Sequence, residues 1–205
     1  MSVKIHQQQK ADLGDKIHYE QYQELYDYGA LKPSAHRRLV ENIQEVAATA
    51  RIPQKYILRP ATEFCTQEEI DWALGIRSYE VEGIAGLIYT GKTSHVVSRM
   101  MGLCGLFLRN FYDARMFTSQ DLIKSAKKDS SENSTVAFVP NFHQIDINGG
   151  DIAKWNIPEL LNWVYTRNSL GLQTVLYVQD FNALGNDYGV SFKEFVEDNY
   201  STIIK

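Results

Sequence analysis

Apolar residues fall at helical spacing in some stretches of the chain and in short continuous runs in others, and the exchange between the two patterns outlines the architecture. From Asp15 to about Ala50 two helices are expected: Ile17, Tyr22, Leu25 and Tyr26 share one side of the first, and Pro33 opens the second. Arg51, Ile52 and Pro53 mark a break. Thr66, followed three residues later by Glu69, reads as a capping box at the start of a helix reaching about Tyr79. Beyond it come an apolar run at 83–89, a Gly-Lys-Thr-Ser turn and an apolar helix over 94–110. A strand within 110–117, a helix over 119–128 and a strand at 135–142 follow. The last elements are a helix over 157–169, a strand at 173–181 and a helix over 191–200. Strands separated by helices predict an α/β fold, a mainly parallel sheet covered on both faces. The segment 144–156, with Gly149 and Gly150 adjacent, is the one long loop.

Composition narrows this picture only slightly. A chain of 205 residues is long enough for one compact domain, or a domain with a small appendage. The formal charge of −4 gives no overall pull towards nucleic acid or anionic lipid. Local basic groups, His36-Arg37-Arg38 and the stretch from Lys124 to Lys128, read first as solvated helix faces. Cys65 and Cys104 lie far apart in apolar surroundings, without a CxxC or a histidine pair at metal spacing, so neither a disulfide framework nor a zinc site is indicated. The N-terminus lacks the apolar stretch of a signal peptide, and no run approaches the roughly 20 apolar residues of a membrane helix. A cytoplasmic protein without a membrane partner is expected.

One stretch carries candidate chemistry. Gly86-x-x-x-x-Gly91-Lys92-Thr93 fits the phosphate-loop pattern, in which backbone amides surround phosphates, the lysine reaches the outer ones and the hydroxyl holds Mg²⁺. It precedes a strongly apolar helix, so that helix's amides and dipole would face a bound anion. One spacing is awkward: if the strand runs from Ile84 through Tyr89, the loop is too short to cradle phosphate well.

Ile52-Pro53 ahead of a helix, TGKTS at 90–94, FTSQDLIKS at 117–125 and two further apolar strands make residues 51–205 resemble the DnaC/IstB-type AAA+ ATPases. The resemblance implies a P-loop NTPase-like (AAA+/RecA-like) domain over 53–205 behind a helical, partner-binding segment over 1–52. It implies ATP and Mg²⁺ as cofactors, with Gly86, Gly91, Lys92, Thr93 and Ser94 at the nucleotide and Thr93 at the metal. It also implies the role of a helicase loader in DNA replication, of phage or mobile-element type. The partners would be a replicative helicase, single-stranded DNA and further copies of the chain. The helical segment's Tyr19, Tyr22 and Tyr26 would meet the partner, and Arg115, Lys124, Lys127 and Lys128 the DNA, since cations with neighbouring aromatics such as Tyr112 suit single strands.

Several positions depart from that pattern. Pro140 and Asn141 stand where the family ends its third strand in two acids, and the final helix FVEDNY contains no arginine to complete a neighbour's site. Tyr89 stands where the family commonly has glycine, and the polar sensor would fall at Gln179 or Asp180. Asp146 or Asp151 would replace the missing acids only if the long loop folded back. Without positioned water and charge neutralisation, phosphoryl transfer loses orders of magnitude in rate. The alternative is therefore a catalytically inactive P-loop-fold interaction module in a DNA-processing complex. A small P-loop kinase is disfavoured by the lack of an arginine-rich lid. Of the scattered histidines, His143 lies near a strand end, where sites in α/β sheets often sit.

Overall fold

A computed structural model describes residues 33–91, 95–127, 133–144 and 154–204. The described helices are α1 (Pro33–Glu41), α2 (Ile43–Ala50), α3 (Lys55–Leu58), α4 (Gln67–Leu74), α5 (Ile76–Glu82), α6 (Val96–Arg109), α7 (Ser119–Lys127), α8 (Ile157–Ser169), α9 (Phe181–Tyr188) and α10 (Val190–Asn199). The strands are β1 (Gly86–Thr90), β2 (Ala114–Met116), β3 (Val136–His143), β4 (Gln173–Val178) and β5 (Tyr200–Ile204). They form one sheet in the order β2-β3-β4-β1-β5, with every pairing parallel. The expected α/β architecture is therefore the observed one.

Side-chain alternation divides the interior in two. Leu87 and Tyr89 of β1, Val136 and Phe138 of β3, and Val175 and Tyr177 of β4 join the core under α2–α6. Ile88, Ala137, Val139, Leu176 and Val178 point the other way, into the core with Leu122 of α7, Leu160 and Val164 of α8, Leu184 of α9 and Phe192 and Val196 of α10. Leu39, Val40, Ala47, Ala50 and Ile52 belong to the first of these cores, so the described part of the N-terminal segment packs directly on the sheet domain. Arg51 adds a polar tie, with its Nη1 2.7 Å from the Asp121 carboxylate on α7 and its guanidinium over the Phe117 ring.

Local signals account for several boundaries. The capping box forms as expected: the Thr66 amide donates to Glu69 Oε2 at 2.5 Å, and the Thr66 side chain caps in return. The helix expected to reach Tyr79 is broken at Gly75, and α5 then runs to Gly83, whose left-handed backbone (φ 75°) closes it as glycine readily does. Pro140 lies where the register between β3 and β4 shifts, past the last residue paired with β2, so its missing N–H disturbs no regular ladder. Helices α3 and α9 and strand β5 are not expected from the pattern. The first two are short, and β5 follows α10 with no intervening turn.

Candidate functional site

The phosphate-loop pattern begins inside the sheet. All five residues of β1, Gly86 to Thr90, are paired in parallel with Thr174–Val178 on one side and with Tyr200–Ile204 on the other. A strand flanked on both edges spends its amides on the ladder. The Gly91 amide is engaged as well, donating to the Gln179 carbonyl at 3.2 Å, while the Gly91 carbonyl accepts from the Tyr177 hydroxyl at 3.0 Å. Helix α6 starts at Val96, so only residues 91–95 connect strand to helix. Gly86 itself has a packing reason: a Cβ there would stand 1.8 Å from the Thr174 carbonyl oxygen of β4. Lys92, Thr93 and Ser94 lie outside the described residues.

The other positions implied by the resemblance have local tasks. Asn141 Oδ1 accepts from the Ser119 amide at 3.1 Å, and its carbonyl accepts from the Ser119 hydroxyl at 2.7 Å, so it caps the start of α7. Asp180 caps α9, its Oδ1 accepting from the amides of Asn182 and Ala183 at 2.7 and 3.2 Å. The Gln179 amide joins β4 to the His143 carbonyl of β3. His143 is buried, with Nε2 3.0 Å from the exposed Asp187 carboxylate and its ring against Tyr188. Among the described residues no group of three or more His, Cys, Asp or Glu is arranged to hold a metal ion.

Tyr89 faces the interior, not the turn. Its hydroxyl donates to Glu69, a carboxylate with no exposed surface, and Arg99 Nε reaches the same oxygen at 3.0 Å. Burial, then the negative Glu69, holds the Tyr89 hydroxyl well above the usual phenol range. Burial likewise pushes the Cys65 thiol up to about 12, and its Sγ donates to the Arg99 carbonyl. Glu69 is thus more than a helix cap, and Tyr89 and Arg99 are too distant in sequence for any spacing rule to connect them to it. No pattern in the sequence marks Arg109 or Arg167. Both are buried, Arg109 donating through Nη1 to the carbonyls of Ile57 and Arg59 and Arg167 through Nη2 to those of Ser134 and Gln173.

The cations expected at DNA are not equivalent. Arg115 is held by both carboxylate oxygens of Asp113 at 2.9 Å, whereas Lys124 is exposed on α7. Lys127 ends α7 without a described side chain, and Lys128, Tyr19, Tyr22, Tyr26, Asp146 and Asp151 lie outside the described residues. No described helix is long and apolar enough to cross a membrane.

Among the described residues the phosphate-loop pattern offers few free donors, while Lys92, Thr93 and Ser94 lie outside them. Six of the eight residues in the loop pattern have their amides committed to the sheet or to Gln179, and neither Pro140 nor Asn141 offers a carboxylate.

No protein-family model and no curated protein sequence matches this chain. Solved structures do. A crystal structure of the DnaC helicase loader superposes with a TM-score of 0.52 at 13% identity, over 74% of this chain and 99% of that one. AMPPCP-bound DnaA from Aquifex aeolicus gives 0.50 at 10% identity, over 71% of this chain and 49% of that one. A DNA replication initiation factor gives 0.50 at 9%, over 71% and 48%. The chain thus spans about half the length of the last two. These likenesses, with the strand order, show an α/β P-loop fold.

Proposed function

We propose that this P-loop fold serves as a nucleotide-independent adaptor in DNA replication, a cytoplasmic assembly module that holds a replicative helicase without turning over ATP. The observation that carries the reading is the course of β1 through the first five positions of the phosphate-loop pattern, which places in a ladder the amides that would otherwise surround phosphate. The likeness to a helicase loader and to replication initiators supports the choice of process and partner. In this reading the N-terminal segment with Tyr19, Tyr22 and Tyr26 meets the helicase. Single-stranded DNA is a secondary partner, touched by Lys124, Lys127 and Lys128 more than by Arg115, which Asp113 already engages. Assembly into homo-oligomers would follow from packing and not from a shared nucleotide.

The test is a thermal-unfolding titration with Mg·ATP on the wild type and Lys92→Ala, with a helicase pull-down in parallel. A ligand with a dissociation constant of 5 mM or weaker stabilises by at most about 0.4 kcal/mol at 5 mM, whereas a working loop with a constant near 10 μM gives about 3.7 kcal/mol. No shift in either protein, with helicase retained without ATP, is expected. A large shift abolished by Lys92→Ala would overturn the reading and restore a nucleotide-driven loader.

A further inference from the structure

The two outer strands of the sheet, β2 and β5, are protected to different degrees. An edge strand presents unpaired amides and carbonyls that another chain can extend, and short length, charge, proline, a bulge or a covering helix each oppose such pairing. At β2 two of these act together: the strand has three residues, and its central Arg115 is charged and held by Asp113. Helix α2 packs against β2 as well, with Ala47 and Ala50 in the same core as Ala114 and Met116. By contrast, β5 matches all five residues of β1 in register without a bulge, and Tyr200–Ile204 contains no charge, proline or glycine. Its Tyr200 packs against Phe195 of α10, in the core that holds Phe192 and Val196. No described strand occupies its other edge.

Tyrosine, threonine and isoleucine suit a pleated, half-buried surface, so this edge is built to carry one more strand. The strand is also complementary to itself. An antiparallel copy, related by a two-fold axis through position 202, pairs 200 with 204 and 201 with 203, and uses every position of both strands without setting like charges opposite one another. Such a contact closes on itself, because the surface that joins is used up in joining, and its product is a dimer and not a filament.

We propose that β5 is a self-association edge: two copies of this chain join antiparallel along Tyr200–Ile204 into one sheet of ten strands, five from each copy. The inference rests on the reading that the module assembles without a shared nucleotide, and it names the surface that does so. The dimer carries two copies of the partner-binding segment on one assembly, which raises its avidity for a partner that can engage both.

Sedimentation velocity on the full chain tests this over about 2–200 μM, with and without Mg·ATP, for the wild type, Thr202→Lys and Thr202→Glu. Position 202 lies opposite itself across the axis, so like charges there stand about 5 Å apart and oppose pairing. The wild type is expected at twice 23.5 kDa and each variant at 23.5 kDa, its association weakened about tenfold or more. An equimolar mixture of the two variants, with opposite charges now facing, should return to the doubled mass. A wild type that stays at 23.5 kDa throughout overturns the proposal, and if Thr202→Lys then loses helicase in the pull-down, the edge accepts a strand of another protein instead. A dimer that both variants retain, or a mixture that stays monomeric, overturns it equally. If the variants do not fold, hydrogen exchange of the wild-type peptide 200–204 decides: protection that rises there with protein concentration supports the edge, and unchanged exchange overturns it. A dimer that forms only with Mg·ATP and is lost in Lys92→Ala overturns the nucleotide-independent function, while the pattern at position 202 still decides the edge.

Discussion

Gly105 lies in the middle of α6, where alanine would ordinarily favour the helix by about 1 kcal/mol. Its neighbours reverse the sign. A Cβ at Gly105 would stand 1.9 Å from the Tyr56 carbonyl oxygen and 2.6 Å from its carbon, both rigid backbone of α3. Relieving this overlap requires α3 and α6 to separate by more than about 1 Å, at a cost near the upper end of the usual 1–3 kcal/mol for overpacking. The separation also pulls the carbonyls of Ile57 and Arg59 from Arg109 Nη1, which they meet at 3.0 and 2.7 Å. One charge-assisted hydrogen bond lost adds about 1.5–3 kcal/mol. Subtracting the helix preference leaves Gly105→Ala less stable by about 3–5 kcal/mol. With a urea slope of about 2 kcal/mol/M, the midpoint falls by about 1.5–2.5 M, read from the fluorescence of the buried Trp72 packed against Phe107. Gly185 in α9 is the control, since a Cβ there meets only the flexible Lys193 side chain at 3.2 Å. Gly185→Ala should be neutral or slightly stabilising. Equal midpoints for the two variants, or a gain in Gly105→Ala, would refute the reasoning.

Further outcomes follow from the same contacts. Asn141→Asp restores an acid where the AAA+ resemblance places one, yet its side chain faces the N-terminus of α7. It should raise stability by about 0.3–1 kcal/mol in chemical denaturation while creating no ATP hydrolysis in a phosphate-release assay. Stability should fall as pH rises above about 9: burial keeps the Cys65 thiol protonated to about 12 in the folded chain, while the unfolded thiol releases its proton near its ordinary value of 9.0. Tyr89, Tyr188 and Tyr200, all raised mainly by burial, extend the loss above pH 10, and a flat urea midpoint from pH 8 to 11 would contradict this. At the acid end, burial raises the Asp121 pKa, but hydrogen bonds from Thr118 and the attraction of Arg51 outweigh it and leave a net lowering. Stability should therefore drop as pH falls below the ordinary carboxylate range, and Asp121→Asn should reduce that drop.

The parts of this fold legible in sequence are those written in local spacing. The apolar runs at β1, β3 and β4 and the Thr66/Glu69 capping pair each announce themselves within a few residues, and they gave the parallel sheet and its helical cover. Strand β5 did not, because Tyr200-Ser-Thr-Ile-Ile continues directly from α10 and acquires its extended form from pairing with β1. The candidate site was legible as letters and obscured as geometry. Gly-x-x-x-x-Gly-Lys-Thr is one string whether its first glycine opens a loop or lets a neighbouring strand approach, and only the register with Thr174 distinguishes the two. Long-range polar assemblies such as Glu69–Tyr89–Arg99 leave no periodic trace at all.

The course of β1 also bears on how such a chain can change. Point substitutions alter side chains, but the amides of Gly86 to Thr90 are main-chain groups of a five-stranded ladder, and no exchange of residue identity releases them. Added length between Thr90 and Val96, and not replacement within β1, is the kind of mutation that would leave main-chain donors free at this end of the sheet.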